Sequence, residues 1–194
     1  LVEGDNIYIL KRSDPISDLP EMSFGSMAND DGNFLLTNDE KKVLVEKDSR
    51  ISKYIRKAMG GAEFIKGTEK YCIWITENEA LEAKKIPELE KIIEKVRLYR
   101  LKSDRVPTQK LADYPYRFGE IRHKDQQKII IPAMSSERRV YIPIGFLEKD
   151  TVIVNATNAI FTNENWIFGV LNSYMHMVWV RAVGGKLKTD IRYS

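Results

Sequence analysis

Hydrophobic and polar positions change period several times along this chain, and each change marks an element. From residue 184 onward, GGKLKTDIRYS, the alternation is strict. Lys186, Lys188, Asp190 and Arg192 fall on one side, and Leu187, Thr189, Ile191 and Tyr193 on the other. Successive strand side chains point to opposite faces, so the pattern predicts one half-buried strand with an ionic outer face. Residues 164–183, just upstream, are apolar almost all round: Trp166, Ile167, Val170, Leu171, Tyr174, Met175, Met177, Val178, Trp179 and Ala182. Only Asn165, Asn172 and His176 make a narrow polar stripe. This predicts a single long helix, capped by Thr162 or Asn163, buried as the central core element and ended by Gly184-Gly185. In it His176 is expected as a hydrogen-bonded core histidine.

The preceding residues read in order as follows. Residues 7–10 suggest a short strand, and Asp14-Pro15 and Leu19-Pro20 punctuate a loop, because the residue before proline leaves the helical region. Asn29, Asp30, Asp31 and Gly32 form a turn cluster. Thr37 caps a helix, with Glu40 completing a capping box. Val43, Leu44, Ile51, Tyr54, Ile55 and Met59 carry that helix, with a break near Ser49, up to Gly60-Gly61. The run YCIWI at 71–75 predicts a buried strand with Trp74 in the core. A charged helical region covers 77–102, with Pro87 opening a second helix whose stripe is Leu89, Ile92, Ile93, Val96, Leu98 and Tyr99. Its cations, Lys91, Lys95, Arg97, Arg100 and Lys102, suit the negative end of a helix dipole.

Residues 103–127 are loop-rich, mixing Tyr114, Tyr116 and Phe118 with Arg117, Arg122, His123 and Lys124. Aromatics among cations can stack on bases or simply pack. His123 has no ligand partners at metal spacing. Strands are predicted at 129–131, 139–144, 152–155 and 159–161. Between the first two lies MSSERR, whose Ser135, Ser136, Arg138 and Arg139 are the groups that hold phosphates. An ion pair of Glu137 with either arginine is the structural alternative. The whole reads as α+β: a small mixed or antiparallel sheet packed on the 164–183 helix, with a helical N-terminal half.

Composition narrows the function. The 194 residues suit one domain, and 43% hydrophobic with 30% charged residues gives a real core. A net charge of +3 permits nucleic-acid binding only through a local basic surface. The single Cys72 excludes an internal disulfide framework and a cysteine zinc cluster, and fits the cytoplasm. No run is long and apolar enough to span a membrane, and the opening LVEGDNIYIL has no signal-peptide character. The missing initiator Met suggests a piece of a longer protein. No GxSxG elbow, HExxH pair, Walker loop or glycine-rich cofactor loop occurs, nor the [DNS]PP[YF] loop of amino-methylating DNA methyltransferases. Against that background the ionic strand carries chemistry. Asp190 can accept from a cytosine amino group, and Lys188 can donate to guanine. The plain alternative is an edge strand made soluble by charge.

The segments FGSMANDDGNFLL, YIRKAMGGAEFI, YCIWI, SSERRVYIPIGF and LNSYMHMVWVRAVGGKLKTDIRYS resemble the downstream half of MmeI-like proteins. These are single-chain restriction–modification enzymes and adenine methyltransferases. The resemblance covers nearly the whole chain. It implies that residues 1–194 are a target recognition domain reading duplex DNA. A methyltransferase core, holding S-adenosylmethionine and an NPPY-type motif, would belong to the parent chain, with no cofactor in this part. It also implies base-reading roles for Lys188, Asp190, Arg192, Ala133, Asn155 and Ala156, while Lys186 would join the SSERR residues on phosphates. Alanines at 133 and 156 have no hydrogen-bonding group to offer a base. Two other readings remain at this point: a protein–protein module of a larger assembly, and an enzyme with a site around His176 and Asn172.

Overall fold

A computed structural model describes residues 18–193; the strand expected at 7–10 and the Asp14-Pro15 pair lie outside them. In chain order the elements are β1 (Met22–Phe24), β2 (Leu35–Leu36), α1 (Asn38–Lys47), a 3-10 segment (Ser49–Tyr54), β3 (Ile55–Met59), α2 (Gly61–Lys66), β4 (Lys70–Ile73), α3 (Ala80–Ala83), α4 (Pro87–Leu101) and α5 (Val106–Lys110). There follow β5 (Lys128–Pro132), β6 (Met134–Ser135), β7 (Gly145–Leu147), β8 (Val152–Ile153), β9 (Thr157–Phe161), α6 (Asn165–Leu171), α7 (Tyr174–Val183), β10 (Gly185–Leu187) and β11 (Asp190–Arg192). The fold is α+β. Its strands form three small sheets rather than one: antiparallel β1-β9-β5-β7, mixed β2-β4-β3-β8 with β3 and β8 parallel, and antiparallel β10-β11-β6.

Several elements stand where the sequence puts them. Thr37 Oγ1 accepts from the Glu40 N–H, and the Glu40 carboxylate accepts from the Thr37 N–H at 2.8 Å, closing the capping box. Pro87 opens α4, and Leu89, Ile93 and Val96 on its buried side pack against Ile73, Cys72 and Phe34. β5 is buried on both faces. Ile129 and Ile131 enter a core with Ile160, Ile167, Met177, Val180 and Ile191, while Ile130 points to the opposite side, onto Met59 and Ile153.

Three elements differ. Residues 55–59 are a strand, not the end of a helix. The Asp48 carboxylate accepts from the Arg50 N–H at 3.0 Å and starts a 3-10 turn, which delivers the chain into β3 between β4 and β8. Ile55 and Met59, four apart, fit either period. Residues 139–144 are not a strand either. The Arg139 N–H donates to the Ser136 carbonyl at 3.0 Å, closing a turn, and Pro143 has no N–H for a ladder. The pairing strand is β7, which follows it and joins β5. Finally, the 164–183 helix breaks in two. The Asn172 amide donates to the Phe168 carbonyl at 3.1 Å, closing α6, and Ser173 Oγ accepts from the His176 N–H at 3.1 Å, opening α7. This pair is not the central core: only Ile167, Met177 and Val180 are buried, and most of its other apolar side chains face outward.

Candidate nucleic-acid interface

The C-terminal residues fold back on themselves. β10 and β11 pair as Gly185↔Arg192, Lys186↔Ile191 and Leu187↔Asp190, leaving Lys188 and Thr189 as a two-residue turn. Lys188 has φ +56°, the left-handed conformation such turns demand at a central position. The single extended strand of the sequence reading is thereby corrected, and so is its facing. Residues directly opposite each other in an antiparallel pair share a face. A two-residue turn pairs odd positions with even ones, so the alternation changes phase across it. Asp190 and Arg192 share a face with Leu187 and Gly185, whereas Lys186 lies on the face of Ile191. Lys188 stands at the tip, between the two. The lysine-and-arginine row of the sequence is therefore split between a tip and two faces.

β11 also pairs with β6, as Ile191↔Ser135 and Arg192↔Met134. This brings the hairpin against the SSERR segment. Ser135, 3% exposed, lies on the Ile191 side, and its hydroxyl has no partner among the described residues. It is a core-facing group, not a surface one, which removes it from the expected phosphate contacts. Ser136, by contrast, opens the turn and accepts from the Arg138 N–H at 3.3 Å. Glu137 forms no ion pair with Arg138 or Arg139 among the described residues. Nor does any ion pair there involve Lys186, Lys188, Asp190 or Arg192. Among the described residues these charges stand free of one another and of any ion-pair partner.

Beside the hairpin a groove of about 460 Å³ is lined by Ala133, Met134, Asn155 and Ala156, with Gly60, Gly61, Glu63 and Lys70 across from them. Ala133 and the Asn155–Ala156 pair, more than twenty residues apart in sequence, thus meet at one place. Buried Ala133 and exposed Asn155 and Ala156 share a wall, and Arg192 stands next to groove-lining Met134 on the same face. The Asn155–Ala156 peptide is cis. Its loop is held by the Asn155 N–H donating to the Ser26 carbonyl at 3.1 Å and by a close approach at Gly25, where a Cβ would lie 2.6 Å from the Val154 carbonyl carbon. The sequence reading missed Lys70 and Glu63. They form an ion pair of 3.1 Å inside the groove, and Lys70 looked like a loop residue preceding a strand.

Tyr193 ties these parts together. Its N–H donates to the Ala133 carbonyl at 2.9 Å, its carbonyl accepts from the Asn158 amide at 3.3 Å, and its hydroxyl meets His176 Nε2 at 2.9 Å. Burial pushes the Tyr193 phenol up to about 12 and draws His176 below its ordinary range. Half-buried His176 is hydrogen-bonded, as expected, and its bond anchors the end of β11 to α7.

The aromatic and basic residues of 103–127 are mainly packing. Phe118 is buried against Phe34 and Trp74, and Arg117 lies over the Tyr114 ring. The His123 ring is wedged between Asp125 at 3.0 Å, Arg56 at 3.1 Å and Lys128 at 3.4 Å. Among the described residues no group of three or more His, Cys, Asp or Glu side chains could hold a metal.

The hairpin with Lys186, Lys188, Asp190 and Arg192 and the groove of Ala133, Asn155 and Ala156 thus lie side by side on the surface. The fold superposes on a solved structure of the type IIL restriction–modification enzyme MmeI, which was determined in complex with DNA. The TM-score is 0.92 and the identity 41%, over 98% of this chain and 26% of that one. Over all 194 residues the chain is 40% identical to DNA methyltransferase A of Bacillus subtilis (strain 168), and spans 22% of that protein's length. The family model for the MmeI target recognition domain matches residues 3–194, and the chain belongs to that family. It spans about a quarter of the length of these relatives.

Proposed function

We propose that this chain reads a short base sequence in duplex DNA on behalf of an adenine-N6 methyltransferase in which it is one domain. The observation that carries the reading is that Arg192 pairs with groove-lining Met134 and the Tyr193 N–H bonds the Ala133 carbonyl, so that the hairpin bearing Lys188, Asp190 and Arg192 abuts, at its open end, the groove of Ala133, Asn155 and Ala156. A hairpin has the dimensions of a two-stranded ribbon, which enters a major groove. Lys188 donates to the O6 and N7 acceptors of a guanine, and Asp190 accepts from the N4 amino group of its paired cytosine. Such contacts discriminate by about 1–3 kcal/mol each. Arg192 and Asn155 supply further donors, while Ala133 and Ala156 contribute contact without hydrogen bonds. Ser136, Arg138, Arg139 and Lys186 hold phosphates and fix orientation. The methyl donor, S-adenosylmethionine, and the pocket for the flipped adenine belong to the parent's catalytic core, which works in the cytoplasm. This chain alone binds neither.

The test exchanges donor and acceptor. In the complete methyltransferase, Lys188→Glu with Asp190→Arg should change the base recognised at one position from G to C, while either single change impairs recognition. Mapping methylated sites reads the outcome. An unchanged recognition sequence in an active double variant would sink the assignment. Calorimetry of this chain with S-adenosylmethionine should show no binding; measurable binding would contradict the division of labour.

A further inference from the structure

α7 has two apolar sides, and the fold buries one. Met177 and Val180 point into the core. On the outward side Tyr174, Val178 and Ala182 form one row at four-residue spacing, and Met175, Trp179 and Val183 form another. Tyr174 is 65% exposed, Met175 81% and Trp179 52%. Preceding α6 repeats the theme, with Trp166 and Val170 both exposed. A soluble surface seldom carries so many large apolar side chains on consecutive turns of one helix unless something covers them.

We infer that this face docks onto the rest of the methyltransferase polypeptide. The inference rests on the proposed role as one domain of that enzyme. The chemistry of the face selects a protein occupant. Arg181 is the one charged residue in α7, and its guanidinium is engaged by the Val140 carbonyl at 2.9 Å, so the face offers no cations to phosphate. The relatives hold most of their length outside the matched part, and this supplies the occupant. A surface tethered in the same chain is present at millimolar effective concentration, far above a second copy in solution. Docking there also has a mechanical consequence. α7 runs through Gly184 directly into β10, and His176 holds Tyr193 at the end of β11. Fixing α7 on the catalytic part fixes the distance from the base-reading hairpin to the adenine that is methylated.

The experiment compares Met175→Glu with Trp179→Glu, as a double variant, in this chain and in the complete protein. In this chain both side chains are already largely in water, so the midpoint should move by less than about 2 °C and DNA binding should be unchanged. In the complete protein the same double variant should be cleaved by protease between domains at least about tenfold faster. Its methylation rate should fall by a similar factor. Complete variant protein that is as resistant and as active as wild type would overturn the inference. So would a wild-type chain that sediments as a dimer which the double variant dissolves, because a second copy would then be the occupant. If neither protein bound DNA while the protease result held, docking would stand and the DNA-reading role alone would fall.

Discussion

The Arg100 guanidinium is fully buried, and every N–H it carries finds a backbone carbonyl. Nε donates to Asn29, Nη1 to Leu111 and Tyr114, and Nη2 to Ala28 and Arg117, all between 2.8 and 2.9 Å. Burial pulls its pKa down to about 10, so it stays charged at neutral pH. The cost of desolvating the cation is offset only while all five bonds persist. Arg100→Met should therefore leave those carbonyls orphaned and lose about 3 kcal/mol or more, read by urea denaturation. A charge at the end of a helix suggested a dipole contact. The missed signal is that Arg100 continues the buried row Leu89, Ile93, Val96, where a solvated cation does not belong. Cys72 is the opposite case: it lies in the run expected to be a buried strand, and it is buried. Burial drives its thiol up to about 12, so a thiol reagent should label it only at the rate of unfolding.

At the scale of elements, strong local signals were legible and changes of direction were not. The capping box, the Pro87 start and the buried strands follow from side-chain chemistry within a few residues. The turn at Lys188–Thr189 has no Gly, Asn or Asp at its centre, so an alternating run looked like one strand when it was two. α7 misled for a different reason. Apolar periodicity reports what will be covered, not what covers it, and here the domain's own core accounts for one side alone. The link between α7 and β11 is testable by pH. Burial lowers His176, and burial also lowers His123 between Arg56 and Lys128, from an ordinary value of 6.5. The unfolded chain then binds protons that the folded chain refuses. Their contribution is complete above about pH 6.5 and is lost as pH falls below it. Thermal midpoints should drop between pH 7 and 5.5 for wild type, and less steeply for His176→Gln. Removing the phenol hydroxyl with Tyr193→Phe should cost about 1 kcal/mol. It should also loosen recognition at the position proposed for Arg192.

Over the whole molecule, the family resemblance implied one kind of role for Ala133, Asn155, Ala156 and the C-terminal strand, though no periodicity links them, and the structure brings them near one another. The three-sheet arrangement explains why: β5 and β9 lie side by side, so residues flanking them emerge at one edge. Glu63 and Lys70 reached the same groove from α2 and β4, and only tertiary structure could reveal that. Net charge does not make this chain a polyanion binder, so its affinity should depend on a few local cations. Replacing Arg138 or Arg139 with Ala should weaken binding to every sequence alike and reduce the salt slope by about one per residue. A changed preference with an unchanged slope would mean that the turn reads bases.

The two-residue turn carries one more consequence, for how such a domain can diversify. Because cross-strand partners are fixed as residue and residue plus three at the tip, adding or deleting a single amino acid there would exchange inward and outward side chains along β11. Ile191 would leave the core, and Asp190 or Arg192 would enter it. Substitution at positions 188, 190 and 192 disturbs nothing of the kind. In the role proposed above, the hairpin thus resembles a line of fixed length whose letters can be rewritten: new recognition sequences would be reached by exchange of residues, while changes of length are closed off by the fold itself.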